Sequence, residues 1–402
     1  MKILNVILFL CIFSVILIAQ EKEFYSGKII DSETKQPIEL VAVYTNSAST
    51  ISNTDGEYEL KSEIAGNITF AHISYYAQII NSHGLPDVIE LKPKVFELAE
   101  IVVIPREAII KELKGVWNNY NKLLKGKKEK DFPELTYYYR QLTFNNDTAV
   151  EYIESFFEST TSVLLKSFSL QEGRYARIKS DSIFWFTNYY IFSRLSPISL
   201  EKAKTKTINV LLCKDFEKYY DVSLNRIISP DQSDEIRVYG FQPKGANMIK
   251  NSIFLSGLLF VKTEDRTIVQ AEMHSNSLDV AFSNDVSVLE EDHKFVFSYQ
   301  AAPSSIPMIT FVKHKSSVKL KRNGQMYNMN IQSTLIPTEL TFDKKRKRLK
   351  FEESLFLKVL KSEYNQEFWD ENSVVKRTQI EQQVLNEFNR EGYFGTMNLE
   401  ND

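Results

Sequence analysis

The sequence contains little cysteine and little glycine, and its positive and negative charges are nearly balanced. Each of these features excludes a class of protein. Its two cysteines are Cys11, inside an apolar leader, and Cys213, so we expect no intramolecular disulfide in the mature chain. The 13 glycines in 402 residues exclude collagen-like and low-complexity architectures. The 49 basic and 52 acidic residues give a net charge of −3, which argues against a general nucleic-acid binder.

Motifs that carry catalysis are also missing. None of the five histidines has a glutamate three residues later, and no His-Glu-x-x-His run, Gly-x-Ser-x-Gly elbow or phosphate-binding glycine loop occurs. The acidic cluster Glu290–Asp292, beside His293, could bind a cation or act in general acid–base catalysis, but we interpret it as a turn ahead of a strand that begins at Lys294. The sequence therefore predicts no enzyme, no catalytic residue, no metal site and no cofactor.

The first 20 residues have the pattern of a secretory signal. Lys2 precedes an apolar run from Ile3 to Ala19, and charged residues follow. The alternative is a retained membrane anchor, but this run is at the lower limit of the ~17–25 residues that span a bilayer. We expect cleavage near Gln20. The single remaining cysteine, Cys213, follows three apolar residues and is predicted to be a buried structural thiol.

Residues 21–104 predict a small β-sandwich, because six or seven short β-type runs alternate with turn signals. Asp55-Gly56 is the clearest of these signals, since glycine accepts the positive φ of a tight hairpin. Residues 105–130 predict an amphipathic helix over Arg106–Leu124, followed by a basic linker.

Residues 131–350 predict a larger β-rich domain. Strict alternation, as in Phe295, Phe297 and Tyr299, indicates sheets with one face buried and one face in water. The tail, residues 351–402, predicts a helix that begins with a Thr378/Glu381 capping box and ends at Gly392. We expect its buried stripe to consist of Ile380, Val384, Leu385 and Phe388.

Two segments of the larger domain are candidate contact sites. A dense aromatic stretch either covers the open side of the sheet or contacts a ligand or partner; its candidate residues are Phe184, Trp185, Phe186, Tyr189 and Tyr190. A basic run is either a solvated turn or a site for anionic headgroups and lipopolysaccharide phosphates; its residues are Lys344, Lys345, Arg346, Lys347 and Arg348.

The first domain resembles the carboxypeptidase-regulatory-like domain, a transthyretin-like β-sandwich of Bacteroidetes-type envelope proteins. The resemblance covers about residues 24–104 and is carried, in order, by Gly27–Asp31, Gln36–Ile38, Ala42–Tyr44, Ser52–Leu60, Ile68–Tyr76 and Leu98–Ile104. The resemblance implies a location in the periplasm or at the outer-membrane periphery. The chain is too short to continue into a TonB-dependent transporter.

The larger domain resembles the half-barrel of lipoprotein carriers, in which a curved sheet cups an apolar ligand. Thr136–Arg140, Ser256–Val261 and Arg266–Val269 carry this resemblance. We therefore expect a mainly β, non-enzymatic envelope protein that works in binding or assembly, with envelope proteins as partners and peripheral membrane contact. The alternative is a periplasmic carrier or sensor of an apolar ligand, and a hydrolase whose residues converge only in space ranks below both.

Overall fold

The computed structural model describes residues 23–46, 48–62, 66–94, 96–98, 104–161, 165–178, 195–229, 235–245, 249–278, 285–300, 307–338, 355–372 and 374–395. These residues form two compact units. The first holds the described residues up to Ala71, with Ala77–Leu91 and Val374–Lys376. The second holds His72–Tyr76, Lys92–Ser373 and the described residues from Arg377 onward. The predicted signal lies outside the described residues.

The first unit is built from two small sheets. Its strands are β1 (Glu23–Asp31), β2 (Ala42–Tyr44), β3 (Ser49–Ile51), β4 (Glu57–Ser62), β5 (Asn67–His72), β6 (Tyr75–Asn81) and β7 (Val88–Leu91). One sheet has the order β4-β1-β7 and the other β3-β2-β5-β6. Tyr58 of β4 packs edge-on against Phe70 of β5, with ring centroids 5.4 Å apart, so the two sheets face each other as a sandwich.

The turn at Gly56 forms as the sequence predicts. Gly56 has a φ of +74°, and a Cβ there would lie 2.4 Å from the carbonyl oxygen of Ile29, so both backbone conformation and space require glycine. The side chain of Asn53 closes the turn by accepting from the amides of Asp55 and Glu57, each at 2.9 Å.

The second unit contains one large antiparallel sheet. Its order among the described residues is β11-β10-β9-β20-β19-β18-β17-β16-β14-β13-β8. The strands are β8 (Phe96–Leu98), β9 (Glu134–Asn145), β10 (Thr148–Thr161), β11 (Leu165–Arg177), β12 (Ile208–Asn209), β13 (Tyr220–Ile228), β14 (Ile236–Pro243), β15 (Ile253–Phe254), β16 (Ser256–Lys262), β17 (Thr267–Ser275), β18 (Val286–Gln300), β19 (Met308–Arg322) and β20 (Gln325–Thr338). The helices are α1 (Arg106–Leu124), α2 (Leu355–Leu360), α3 (Gln366–Glu371) and α4 (Gln379–Arg390).

Helix α1 covers one face of this sheet, which we call the inner face. Its buried side chains form one apolar cluster with residues from ten strands, from Tyr175 of β11 to Tyr220 of β13. Ten flat strands would span about 43 Å, whereas a helix with its side chains is about 10–12 Å across. One helix and the segment around Leu212 can join all ten strands because the sheet is curved, and β-bulges in β10, β13, β17 and β18 increase such bending.

The C-terminal helix α4 covers part of the opposite face, which we call the outer face. The capping box predicted at Thr378 and Glu381 is present, and Gly392 has the positive φ of a helix stop. The helix buries Val384, Leu385 and Phe388 against Leu142, Tyr152 and Ala176. The prediction that Ile380 belongs to this stripe is wrong: Ile380 is 62% exposed, because it lies on the first turn, beyond the buried arc.

The mainly β class, the connecting helix and the C-terminal helix are confirmed, whereas several strands are longer than predicted. Strands β18 and β19 each have 15 residues, because their lysines face outward while the alternate side chains are buried. Glu290–Asp292 is therefore part of β18 and the interpretation as a turn is wrong. Strand β20 runs unbroken through Pro337. Cys213 is buried as expected, and burial raises its pKa to about 12.

Candidate functional site

A band of buried polar side chains crosses the inner face between two apolar clusters. On β19, His314 and Ser316 lie between Val312, which joins the α1 cluster, and Val318, which joins a second apolar cluster. The strand register places polar residues of five neighbouring strands in two successive rows. We call this set the inner polar band: Gln141, Thr143, Glu151, His293, His314, Ser316 and Ser333, each at most 5% exposed.

Glu151 anchors one end of the band in a fully hydrogen-bonded network. Its Oε1 accepts from Gln141 Nε2 at 3.1 Å and from Thr143 Oγ1 at 3.4 Å, and its Oε2 accepts from the Tyr175 hydroxyl at 3.1 Å. Burial raises the pKa of Glu151 to about 7, although these hydrogen bonds and Arg177 oppose the shift. The carboxyl group therefore changes charge near neutral pH.

His293 anchors the other end. Its Nε2 lies 3.0 Å from Glu291 Oε2, and its Nδ1 is hydrogen-bonded to the Ser316 hydroxyl. Burial alone would raise the pKa of Glu291, but bonds from His293 and from the Leu278 amide lower it. Because Glu291 is a carboxylate, Nε2 donates to it, and in a neutral ring Nδ1 then accepts from Ser316. Both ring nitrogens of His293 are satisfied by protein groups.

His314, next to His293, has no such partners. Its ring stacks on Phe295, with centroids 4.3 Å apart, and lies parallel to His293 at 5.9 Å. It is fully buried, and neither nitrogen has a hydrogen-bond partner among the residues that the structure describes. Burial, reinforced by His293, holds the pKa of His314 well below its usual range. The ring is therefore neutral, with one donor and one acceptor free for a group that is not part of the described chain.

A second buried cluster lies on the outer face of the same strands. Glu154 of β10 accepts from Arg174 Nε at 2.6 Å, from Arg377 at 3.2 Å and from the Tyr138 hydroxyl. Burial would raise the pKa of Glu154, but the three arginines Arg174, Arg377 and Arg140 lower it far below its usual range. We call Glu154, Arg140, Arg174, Arg377 and Glu381 the outer charged cluster.

The outer charged cluster fixes the C-terminal segment to the sheet. Arg377 comes from that segment, and Arg140 of β9 pairs with Glu381 of α4 at 3.2 Å. Arg174 also lies over the ring of Trp369 in α3, at 4.7 Å. These contacts are internal to the second unit, so the cluster has a positioning role.

The structure describes neither of the two predicted contact segments. Phe184–Tyr190 and Lys344–Arg348 lie outside the described residues. In the described part of the chain, no group of three or more His, Cys, Asp or Glu side chains is placed to hold a metal ion, and no helix is long and apolar enough to cross a membrane. Sequence reasoning missed His314, although its spacing from Val312, Ser316 and Val318 indicates one shared face.

The pKa of Glu151 leads to a testable pH dependence. The folded pKa lies above the ordinary 4.5, so the folded state binds the extra proton and Glu151 lowers stability as pH rises from about 4.5 to 7. Glu151→Gln removes this loss. The free energy of unfolding of the variant relative to wild type should increase by about 1–3 kcal/mol between pH 5 and pH 8.

Urea unfolding at several pH values measures this difference. The exposed Glu363→Gln is the matched control, and its relative stability should stay level over the same range. If the unfolding free energies of Glu151→Gln and wild type changed in parallel with pH, the raised pKa of Glu151 would be contradicted.

Comparisons with known proteins return little. No protein-family model and no curated protein matches the chain. Among solved structures, the chain is similar to a LolA superfamily protein from Nitrosomonas europaea, with 11% sequence identity and a TM-score of 0.22, over 60% of this chain and 96% of that one.

Proposed function

We propose that this protein is a non-enzymatic ligand-binding protein of the cell envelope, whose larger sheet holds a ligand along its inner face. The observation that carries the proposal is His314, a neutral, buried imidazole with both nitrogens unpartnered among the described residues. The ligand has an apolar body and one group that donates and accepts hydrogen bonds. This requirement refines the apolar-ligand alternative drawn from the sequence.

The polarity of the inner face supports such a ligand. The inner polar band lies between apolar clusters that contain Val312 and Val318. Binding sites for small molecules are typically apolar with a few placed polar groups that fix the orientation of the ligand. An unsatisfied buried polar group costs about 1–3 kcal/mol, and a ligand hydroxyl at His314 would remove that cost.

The two stacked histidines should respond oppositely to substitution. His314→Phe keeps the stacking on Phe295 and removes two unsatisfied polar atoms, so the ligand-free protein should gain about 1–2 kcal/mol in unfolding free energy. His293→Phe breaks the bonds to Glu291 and Ser316 and should lose about 2–3 kcal/mol. Urea unfolding of the ligand-free protein measures the change in unfolding free energy for both variants. A loss for His314→Phe as large as that for His293→Phe would show that His314 is satisfied without a ligand.

Binding is tested with a pair of probes that differ in one hydroxyl group. Native mass spectrometry of the ligand-free protein, mixed with hexadecanol or hexadecane, should show a preference for the alcohol. His314→Phe should abolish that preference. Equal occupancy by both probes in wild type, or no occupancy together with no co-purifying compound, would contradict ligand binding at this site.

The Glu291–His293–Ser316 chain has the components of an acid–histidine–serine site, but its surroundings favour a positioning role. Strand β19 pairs with β18 and β20 on both sides of Ser316, so the backbone N–H groups there serve the ladders rather than an oxyanion. Purified protein should hydrolyse neither peptides nor glycans. Hydrolysis that is lost in Ser316→Ala would overturn the non-enzymatic part of the proposal.

The envelope location rests on the leader and on the resemblance of the first unit to carboxypeptidase-regulatory-like domains. Fractionation of cells that express the full chain should place the protein in the periplasm or with the outer membrane. Intact mass should show removal of about the first 20 residues. A cytoplasmic, uncleaved product would contradict this location.

A further inference from the structure

A stripe of lysines runs along the outer face of β19. Its outward residues alternate with the buried His314, Ser316, Val318 and Leu320, so they share the face opposite the inner polar band. Alternate residues on one face of a strand are about 6.8 Å apart, which places the four lysine residues in a row about 27 Å long. The stripe consists of Lys313, Lys315, Lys319 and Lys321.

Carboxylates only partly neutralise the surface around this stripe. Lys319 pairs with Glu290 at 3.3 Å, Lys294 with Asp292 at 3.1 Å, and Arg322 with Asp285. Lys315 and Lys321 are exposed and have no carboxylate partner in the described part of the chain. Burial and the neighbouring Lys315 lower the pKa of Lys313 to about 7, as expected where like charges crowd together.

Two exposed apolar side chains lie on the strands that flank the lysine stripe. The register shift between Val288 and Glu290 is a β-bulge in which Leu289 is the additional residue opposite Lys319 and Leu320, and Leu289 is 49% exposed. On the other side, Met326 of β20 is paired with Lys321 and is 41% exposed. The lysines of β19 therefore lie between two apolar side chains on neighbouring strands.

We propose that this part of the outer face, formed by Leu289, Lys315, Lys319, Lys321 and Met326, docks onto a membrane surface that contains anionic lipids. Lysine side chains beside such a surface are attracted by its negative potential, and the apolar side chains enter the region of the headgroups. Leu289 and Met326 favour a membrane over a dissolved polyanion, because a polyanion would leave them in water. This surface is independent of the ligand site on the inner face.

Vesicle co-sedimentation of the mature full-length protein tests the proposal. Wild type should bind vesicles of phosphatidylglycerol and phosphatidylcholine but not vesicles of phosphatidylcholine alone. The double variant Lys315→Gln/Lys321→Gln should lower the partition coefficient about 10- to 30-fold. Leu289→Ser/Met326→Ser should lower it about 10-fold.

Matched controls separate this surface from general charge and general hydrophobicity. Lys125→Gln/Lys127→Gln removes the same charge from exposed lysines elsewhere, and Ile380→Ser removes another exposed apolar side chain. Both should bind like wild type. Equal decreases of the partition coefficient in the controls, or no binding of wild type to anionic vesicles, would overturn the proposal. Tight binding to heparin with no effect of Leu289→Ser/Met326→Ser on vesicle binding would identify a site for a soluble polyanion instead.

Discussion

Glu154→Gln is expected to lower the free energy of unfolding by about 3–5 kcal/mol, because it leaves buried arginines without their counter-ion. The side chains of Glu154 and Arg174 are at most 1% exposed, and that of Arg377 is nearly buried. Glutamine keeps one acceptor oxygen for Tyr138 and Arg377. Its amide nitrogen, however, faces the N–H groups of Arg174. Two hydrogen-bond donors are then in contact at the position of the wild-type ion pair.

The effect of Glu154→Gln should concentrate on the C-terminal segment. Arg377 is the ligand that this segment contributes to Glu154, and Trp369 stacks on Phe156 and lies over Arg174. Limited proteolysis should therefore cut the variant faster between residues 365 and 395 than elsewhere. Urea unfolding measures the total loss.

The exposed pair Arg390–Glu391 is the control, and Glu391→Gln should change stability by less than about 0.5 kcal/mol. A loss below about 1 kcal/mol for Glu154→Gln would show that the cluster is hydrated and weakly coupled. The pH dependence provides a second measurement. Because the folded pKa of Glu154 is lowered, its stabilisation is present above about pH 4.5 and is lost as pH falls below that value.

Glu151 and Glu154 show how one strand produces two different environments. They lie three residues apart on β10, so they face opposite sides of the sheet. Burial raises the pKa of Glu151 although neutral donors and Arg177 oppose the shift, whereas arginines surround Glu154 and lower its pKa. Acidification from pH 8 to 5 therefore protonates Glu151 in the inner polar band and leaves Glu154 in the outer charged cluster ionised. A pH-dependent change in ligand binding would thus not require release of the C-terminal segment.

The sequence predicts the regular parts of the fold well. Helix α1 and the capping box at Thr378 follow from local periodicity and capping chemistry, which need no knowledge of distant residues. The positive φ of Gly56 likewise follows from a two-residue signal. Strands with charged outer faces are harder to predict. Lys313-His314-Lys315 has the composition of a loop, and only the neighbouring strands show that alternate side chains are buried.

The candidate site is less predictable than the fold, because it depends on register. His293 and Ser316 are 23 residues apart and meet only through the pairing of β18 with β19. Glu154 and Arg377 are 223 residues apart. No local pattern specifies such pairs. A sequence pattern shows which residues share a face, but the row in which two strands align is set by turns, bulges and packing across the whole sheet.

Gly257→Ala is expected to lower the free energy of unfolding by about 3–5 kcal/mol, through overpacking and backbone strain together. Gly257 has a φ of +154°, and a Cβ there would lie 2.0 Å from the carbonyl oxygen of Glu272 on β17. The contact is with backbone, so no side-chain rotation relieves it. Strands β16 and β17 must separate, and they carry Leu259, Val261 and Ala271 of the inner apolar cluster.

Gly245→Ala is the matched control for Gly257→Ala, because no atom lies within 4 Å of the added methyl group; its unfolding free energy should stay within about 0.5 kcal/mol of wild type. Chemical denaturation of both variants measures the difference. Equal stabilities would mean that β16 and β17 are farther apart at Gly257 than the structure has them. Because separation of these strands also disturbs the packing under α1, Gly257→Ala should weaken hexadecanol binding without any change to His314, whereas Gly245→Ala should leave it unchanged.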